Sequence, residues 1–247
     1  MIEERLFGLI GKNISYSFSK EYFLNKFNKE NITQSHYDIF DLPYINNFEH
    51  LLRSYPNIRG VNITIPYKKD IIQYVNYLSD EALSISAVNT IKIKENSLIA
   101  YNTDAFGFKK SFVKHLHSTH KKALVLGNGG AAQAVIYVLK QLNLPYLIVS
   151  RNKKGDLSYK EINEKLLTQY NIIVHCTPIG TYPSSDRCPL IPYQFLTKNH
   201  YLYDLVYNPV ESKFLKKGIE SGAIVKNGLE MLYIQGELAW DLWNQLL

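Results

Sequence analysis

The stretch "ALVLGNGGAAQAVIYVL", residues 123–139, limits the fold more than any other part of the chain. Four apolar residues read as a buried strand, three glycines as a tight turn, and the alanine-rich run as a helix. A strand that feeds a helix in this way is half of a βαβ unit, and such units build parallel sheets covered by helices. Each glycine has its own use. Gly127 permits the sharp strand-to-helix turn, Gly129 leaves the backbone bare for a pyrophosphate, and Gly130 with the following alanines lets the helix lie close on the strand. The helix N-terminus adds N–H donors and the positive end of the helix dipole, which favour phosphate. A plain tight turn is the bland alternative, and the strand-to-helix context weighs against it.

The next strand ends at "LIVSRN", residues 147–152. In a dinucleotide-binding unit that takes NAD, an acidic residue about 20 positions past the glycines holds the ribose 2′-hydroxyl. Here Ser150 and Arg151 stand at that place, followed by Lys153 and Lys154. A carboxylate would repel a 2′-phosphate, whereas a guanidinium binds one bidentately. The expected cofactor is therefore NADP. "IIVHCTPIGTYP", residues 172–183, is a further buried strand that ends in a turn. At the carboxyl edge of a parallel sheet, Thr177 and Gly180 would line the cofactor crevice, either against the nicotinamide half or simply as turn residues.

Composition narrows the class. The 247 residues are 46% apolar and 20% charged, which suits one large domain or two modest ones. No apolar run approaches the ~18–20 residues of a membrane span, and "MIEERLFGLIGKN" lacks the pattern of a signal peptide. A cytoplasmic protein is expected. The two cysteines, Cys176 and Cys188, form no CxxC pair, no histidines sit at metal-ligand spacing, and no metal is expected. A net charge of +6 permits nucleic acid, a membrane surface or an anionic small molecule as partner. The lysines are scattered, so an anionic metabolite or cofactor is the expected partner, with no nucleic acid and no membrane.

Strand and helix signals alternate over the first hundred residues: "RLFGLIG", "KEYFLNKFNKEN", "HYDIFDL" and "NNFEHLLRSYPN" in turn. A helix is expected from about Lys69 to Leu78, and "AVNTIKIKENSLIAYNTD" reads as a hairpin with a "KENS" turn. From Asp104 an amphipathic helix should carry Phe108, Phe112, Val113 and Leu116 on one face. A last helix runs from about Leu229 to Leu246. The expected fold is α/β, with an N-terminal α/β substrate domain, a Rossmann-like doubly wound parallel-sheet domain, and a cleft between them. The substrate domain is assigned residues 1–103 plus about 228–247, and the cofactor domain 104–227.

"NITIPYKKD", residues 62–70, alternates Asn62 and Thr64 with Ile63 and Ile65 and leads to Lys68. Pro66 and Tyr67 should stop this strand. Other segments also end in small polar groups: Ser17 and Ser19, Asn89, Asn102 to Asp104, and Gln235. Singly, Ser19 and Asp104 read as helix N-caps and Asn89 as a turn residue. Together they offer hydroxyls, amides, an amine and a carboxylate, an inventory that suits a polyhydroxylated substrate with a proton to move.

In this order "ISYSFSK", "NITIPYK", "SAVNT", "YNTDAFG", "GNGGAAQA", "SRN", "YDLVYNP" and "GLEMLYIQ" resemble the motifs of the shikimate dehydrogenase family over almost the whole chain. The resemblance implies that Ser17 and Ser19 bind the substrate carboxylate. It implies that Asn62, Thr64, Asn89 and Gln235 bind ring hydroxyls, with Tyr207 a further substrate-side residue. Lys68 and Asp104 would be the catalytic pair. Gly127, Asn128, Gly129, Gly130, Ala131, Ser150, Arg151, Thr177 and Gly228 would hold NADP. Departures from the family pattern are Tyr16 for a common His, Lys20 for a Pro, and "SRN" for "NRT". The implied reaction is the reversible NADPH-dependent reduction of 3-dehydroshikimate to shikimate, a step of chorismate and aromatic amino acid biosynthesis, by a monomer or homodimer. Alternatives are a quinate or dual quinate/shikimate dehydrogenase and a non-catalytic NADP-binding module.

Overall fold

Seven mostly apolar residues, Arg5–Gly11, open the chain as strand β1 in a computed structural model that describes residues 4–15, 17–95, 97–151 and 155–245. The chain divides into two units, Met1–Thr103 with Gln235–Leu247, and Asp104–Ile234.

In the first unit β1 is followed by α1 (Ser19–Lys29), β2 (Ser35–Asp41), α2 (Phe48–Ser54), β3 (Ile58–Ile63), β4 (Tyr77–Leu78), α3 (Asp80–Ile85), β5 (Thr90–Lys94) and β6 (Ser97–Tyr101). The sheet order is β2-β1-β3-β5-β6-β4. β5 runs antiparallel to β3 and β6, and the other pairings are parallel. β3 is thus a central strand, and it is buried on both faces. Val61 and Ile63 join Ile10, Phe48, Ile71, Ile91 and Ala100 in one apolar cluster. Phe7, Leu9 and Tyr37 pack with Phe23, Phe27, Ala239 and Trp243 in another.

The second unit begins with α4 (Thr103–Phe112) and continues through β7 (Ala123–Leu126), α5 (Gly130–Gln141), β8 (Tyr146–Val149), α6 (Glu164–Gln169), β9 (Ile172–His175), β10 (Tyr201–Asp204), α7 (Lys213–Glu220), β11 (Ile224–Lys226) and into α8 (Leu229–Asn244). Its five strands pair in parallel in the order β11-β10-β9-β7-β8. Every residue of β7, β9 and β10 is buried, as expected of parallel strands covered on both faces. The chain steps from β7 to β8 on one side and then to β9 on the other. The carboxyl ends of β7 and β9 therefore flank the switch point where such sheets bind ligands.

Several expectations are corrected. No helix spans 69–78: a 3-10 turn covers Asp70–Tyr74, Val75 is extended, and Tyr77–Leu78 pairs with Ile99 and Ala100. The β-branched residues Ile71, Ile72 and Val75 weaken a helix there, and pairing at the open edge of β6 takes the segment instead. The strand of "NITIP" stops at Ile63, earlier than Pro66, and Ile65 lies past it, 44% exposed. α4 ends at Phe112. Val113 falls in a 3-10 turn and is 39% exposed, while Phe108 and Phe112 are fully buried. Leu246 and Tyr16 lie outside the described residues, as do Lys153 and Lys154.

Candidate active site

In the first unit the polar residues of the central strands meet in one hydrogen-bonded node. Register sets Asn62 of β3 opposite Thr90 of β5. The Asn62 amide nitrogen donates to Thr90 Oγ1 at 3.2 Å and to the Asn89 carbonyl at 3.3 Å. Its Oδ1 accepts from the Tyr37 hydroxyl at 2.8 Å. Asn62 thus commits both N–H bonds to the protein and braces the backbone of Asn89. Asn89 in turn accepts the Thr103 N–H at 2.7 Å and donates to Thr103 Oγ1 at 2.9 Å and Gln235 Oε1 at 3.3 Å. Thr103 Oγ1 also lies 3.3 Å from Gln235 Oε1. Residues 62, 89, 103 and 235 are brought together, although long stretches of chain separate them. At 2% exposure Asn89 is no mere surface turn residue.

The loops after β1 and β3 carry the next groups. Asp41, at the end of β2, accepts the N–H groups of Asn13 at 2.8 Å and Ile14 at 3.2 Å, which fixes the loop that leads to Ser17. The Ser17 and Ser19 hydroxyls are 3.3 Å apart, and the Ser19 N–H donates to Ser17 Oγ at 3.3 Å. Ser19 is the first residue of α1 rather than its N-cap, which is Phe18. Two adjacent hydroxyls at a positive helix end suit a carboxylate. Thr64 follows β3, half-buried, and its N–H donates to Ile10 O at 2.8 Å. Lys68 is half-buried, and its carbonyl accepts the Val88 N–H at 2.8 Å, which ties its segment to that of Asn89. Asp104 opens the second unit. It is 5% exposed in the first turn of α4, inside the helix rather than at its cap.

In the second unit the glycine turn behaves as its sequence suggests. Gly127 has φ +117°, and a Cβ there would meet Thr177 Cγ2 at 2.9 Å. A Cβ on Gly129 would meet nothing within 4 Å, so open space lies over that backbone at the N-terminus of the twelve-residue helix α5. Asn128, in the turn, accepts from Gln133 Nε2 at 3.2 Å; Gly130 and Ala131, the first residues of α5, are half-buried. Beside the turn, the Gly127 N–H donates to Val149 O at 2.9 Å. This sets the buried Ser150 and exposed Arg151 next to it. On the other flank the Cys176 N–H donates to Leu126 O at 2.9 Å, which brings up Thr177. Burial, and then the Asp204 carboxylate, push the Cys176 thiol up, so it stays neutral. Gly228 packs so tightly on Leu205 that a Cβ would sit 2.3 Å from its carbonyl oxygen. Tyr207, half-buried, leads into Asn208, whose carbonyl accepts the Tyr182 N–H at 3.0 Å. Bare backbone at a helix N-terminus, with Arg151 just past the end of the neighbouring strand, fits a 2′-phosphorylated dinucleotide.

The family signature for the shikimate dehydrogenase substrate-binding domain matches residues 9–91. A protein of Clostridium botulinum (strain Hall) named shikimate dehydrogenase (NADP(+)) is 42% identical over 96% of this chain and 95% of its own length. The chain belongs to the shikimate dehydrogenase family. Among solved structures, shikimate dehydrogenase from Aquifex aeolicus superimposes with a TM-score of 0.86 at 31% identity, covering 99% of this chain and 94% of that one. The Thermus thermophilus enzyme, solved with NADP(H) and shikimate, gives 0.84 at 28% identity and covers 98% and 94%. As a shikimate dehydrogenase the chain is an NADP-dependent oxidoreductase with a small-molecule substrate. No helix among the described residues is long and apolar enough to cross a membrane.

Five residues of the two units' polar networks escaped sequence reasoning, Asp41 with its hold on the loop before Ser17 among them. Tyr37 and Thr90 read as ordinary strand residues, yet both bond Asn62. His175 and Asp204 sit 29 positions apart on different strands and are paired by register. The imidazole inside an apolar strand was the one available signal, since a buried His needs partners.

Proposed function

We propose that the chain reduces 3-dehydroshikimate to shikimate reversibly with NADPH, and that Lys68 and Asp104 manage the proton. NADPH supplies the hydride when bound. Ser17 and Ser19 hold the substrate carboxylate at the start of α1. Thr64, Asn89 and Gln235 engage the ring hydroxyls, with Asn62 supporting them through Asn89 and Thr90, and Tyr207 serving on the substrate side. The Lys68 ammonium stabilises negative charge on the ketone oxygen and gives up its proton to it. In the reverse direction the Lys68–Asp104 pair accepts the hydroxyl proton as a coupled unit. Gly127, Asn128, Gly129, Gly130, Ala131 and Gly228 shape the dinucleotide seat, and Ser150 and Arg151 take the 2′-phosphate.

The observation that carries this reading is the node in which Asn89 bonds Thr103 and Gln235. It gathers amide and hydroxyl groups from three remote segments, as a polyol substrate requires. The domain limits proposed are 1–103 with about 228–247 for substrate and 104–227 for cofactor. Action in the cytoplasm as a monomer or homodimer, without nucleic acid or membrane, completes the reading. NADP reduction with shikimate as the starting acid tests it, with quinate and NAD run in parallel. Lys68→Ala should lose most of kcat with little change in KM for shikimate. A rise in KM alone would reduce Lys68 to a binding group.

A further inference from the structure

The second unit holds a buried histidine–carboxylate pair that reaches the cofactor candidate Thr177 and to which the reading above gives no role. Register places Asp204 of β10 opposite His175 of β9, and both are fully buried. His175 Nδ1 is 2.9 Å from Asp204 Oδ1. The same carboxylate accepts the Val206 N–H at 3.0 Å and the Ser212 hydroxyl. At the far side of the ring, Nε2 is 2.6 Å from Thr177 Oγ1.

The proton positions follow from donor counting. A carboxylate only accepts, so His175 must donate from Nδ1. In the neutral imidazole Nε2 then carries a lone pair, and the hydroxyl hydrogen of Thr177 goes to it. A threonine hydroxyl has one hydrogen. With that hydrogen bound inward, the oxygen offers only lone pairs to anything outside. Its place is also fixed, because the Ile179 N–H donates to the same oxygen at 3.4 Å and leaves it one lone pair to offer. Thr177 therefore stands at the switch point of the parallel sheet as a held acceptor.

Phosphate oxygens at neutral pH accept hydrogen bonds and cannot pair with an acceptor. The donors of a nicotinamide dinucleotide on that side are the ribose hydroxyls and the carboxamide N–H groups. We propose that His175, oriented by Asp204, is a positioning residue that turns Thr177 away from the pyrophosphate and makes it the acceptor for a donor of the nicotinamide nucleoside. This inference rests on the second unit being the NADP site.

The test is calorimetric titration of the full chain with two ligands, NADP and 2′-phospho-ADP, which lacks the nicotinamide nucleoside. Wild type should bind both. Thr177→Val and His175→Gln should each raise the Kd for NADP about 5- to 10-fold, the range of one neutral hydrogen bond. Both should leave 2′-phospho-ADP within about twofold, and the double variant should be no worse than either single. A merely structural role of His175 would weaken both ligands and add to Thr177→Val. Either of those results, or unchanged NADP affinity, overturns the proposal. Wild type that binds neither ligand overturns the NADP reading beneath it. A measurement needing no substitution stands beside these. The ¹⁵N spectrum of His175 should show a protonated Nδ1 and a bare Nε2, and the opposite tautomer overturns the proposal.

Discussion

Gly129→Ala should separate cofactor binding from folding. Gly129 has φ −84° and ψ −175°, a region any L-residue adopts, and a Cβ there meets nothing within 4 Å. The folded chain therefore accepts the methyl without strain. Alanine is a poorer N-cap than glycine by a few tenths to ~1 kcal/mol, and the loss of backbone freedom in the unfolded chain returns ~0.4–1 kcal/mol. The net is close to zero, so Tm should move by no more than about 2–4 °C. The dinucleotide meets a different situation, because the methyl fills the space its phosphates need to reach the N–H groups of α5. Loss of one charge-assisted bond, ~1.5–3 kcal/mol, raises the Kd for NADP about 10- to 100-fold. Gly127→Ala is the contrast. Its φ of +117° and the 2.9 Å approach to Thr177 should cost ~1–3 kcal/mol of stability. Thermal unfolding and calorimetric titration of both variants give the answer. Gly129→Ala binding NADP within twofold of wild type, or losing more than ~2 kcal/mol of stability, would refute the reasoning.

Further outcomes follow from the same geometry. Arg151→Ala should weaken NADP about 10- to 100-fold and leave NAD within about twofold, since only the 2′-phosphate loses its guanidinium; equal losses for both would remove Arg151 from that role. Asp41→Ala frees the Asn13 and Ile14 N–H groups and should raise KM for shikimate about 5- to 10-fold with kcat within about twofold, as steady-state kinetics would show. Tyr37→Phe strips Asn62 Oδ1 of its donor and should cost ~1–3 kcal/mol in urea unfolding, with NADP affinity unchanged by titration.

The parts legible in the sequence were those written locally. The strand–glycine–helix run at 123–139 declared its fold because the turn, the helix start and the buried strand are contiguous, and β7 and α5 lie where it says. The segment after Lys68 misled because Ile71, Ile72, Val75 and Leu78 are spaced as on a helix, while the deciding contact is with β6, some twenty residues on. Asn62 was visible as a polar residue on a strand, but its committed amide was not, because Tyr37 and Thr90 come from other strands. The pairing of His175 with Asp204 was unreadable for the same reason. Pairing by register is a property of the sheet, and neither short sequence contains it.

Trp243 carries a last consequence. Its indole stacks on Phe7 at 4.9 Å, donates to Ile91 O at 3.0 Å and covers Gly60, where a Cβ would lie 2.3 Å from the ring. On the ribosome, strands β1, β3 and β5 are made long before this residue. The aromatic cluster of the first unit lacks Trp243 until that residue is made, whereas the five parallel strands of the second unit all precede it. The second unit should therefore be able to fold before the first, against the usual N-terminal-first order, with the first completed once α8 is made.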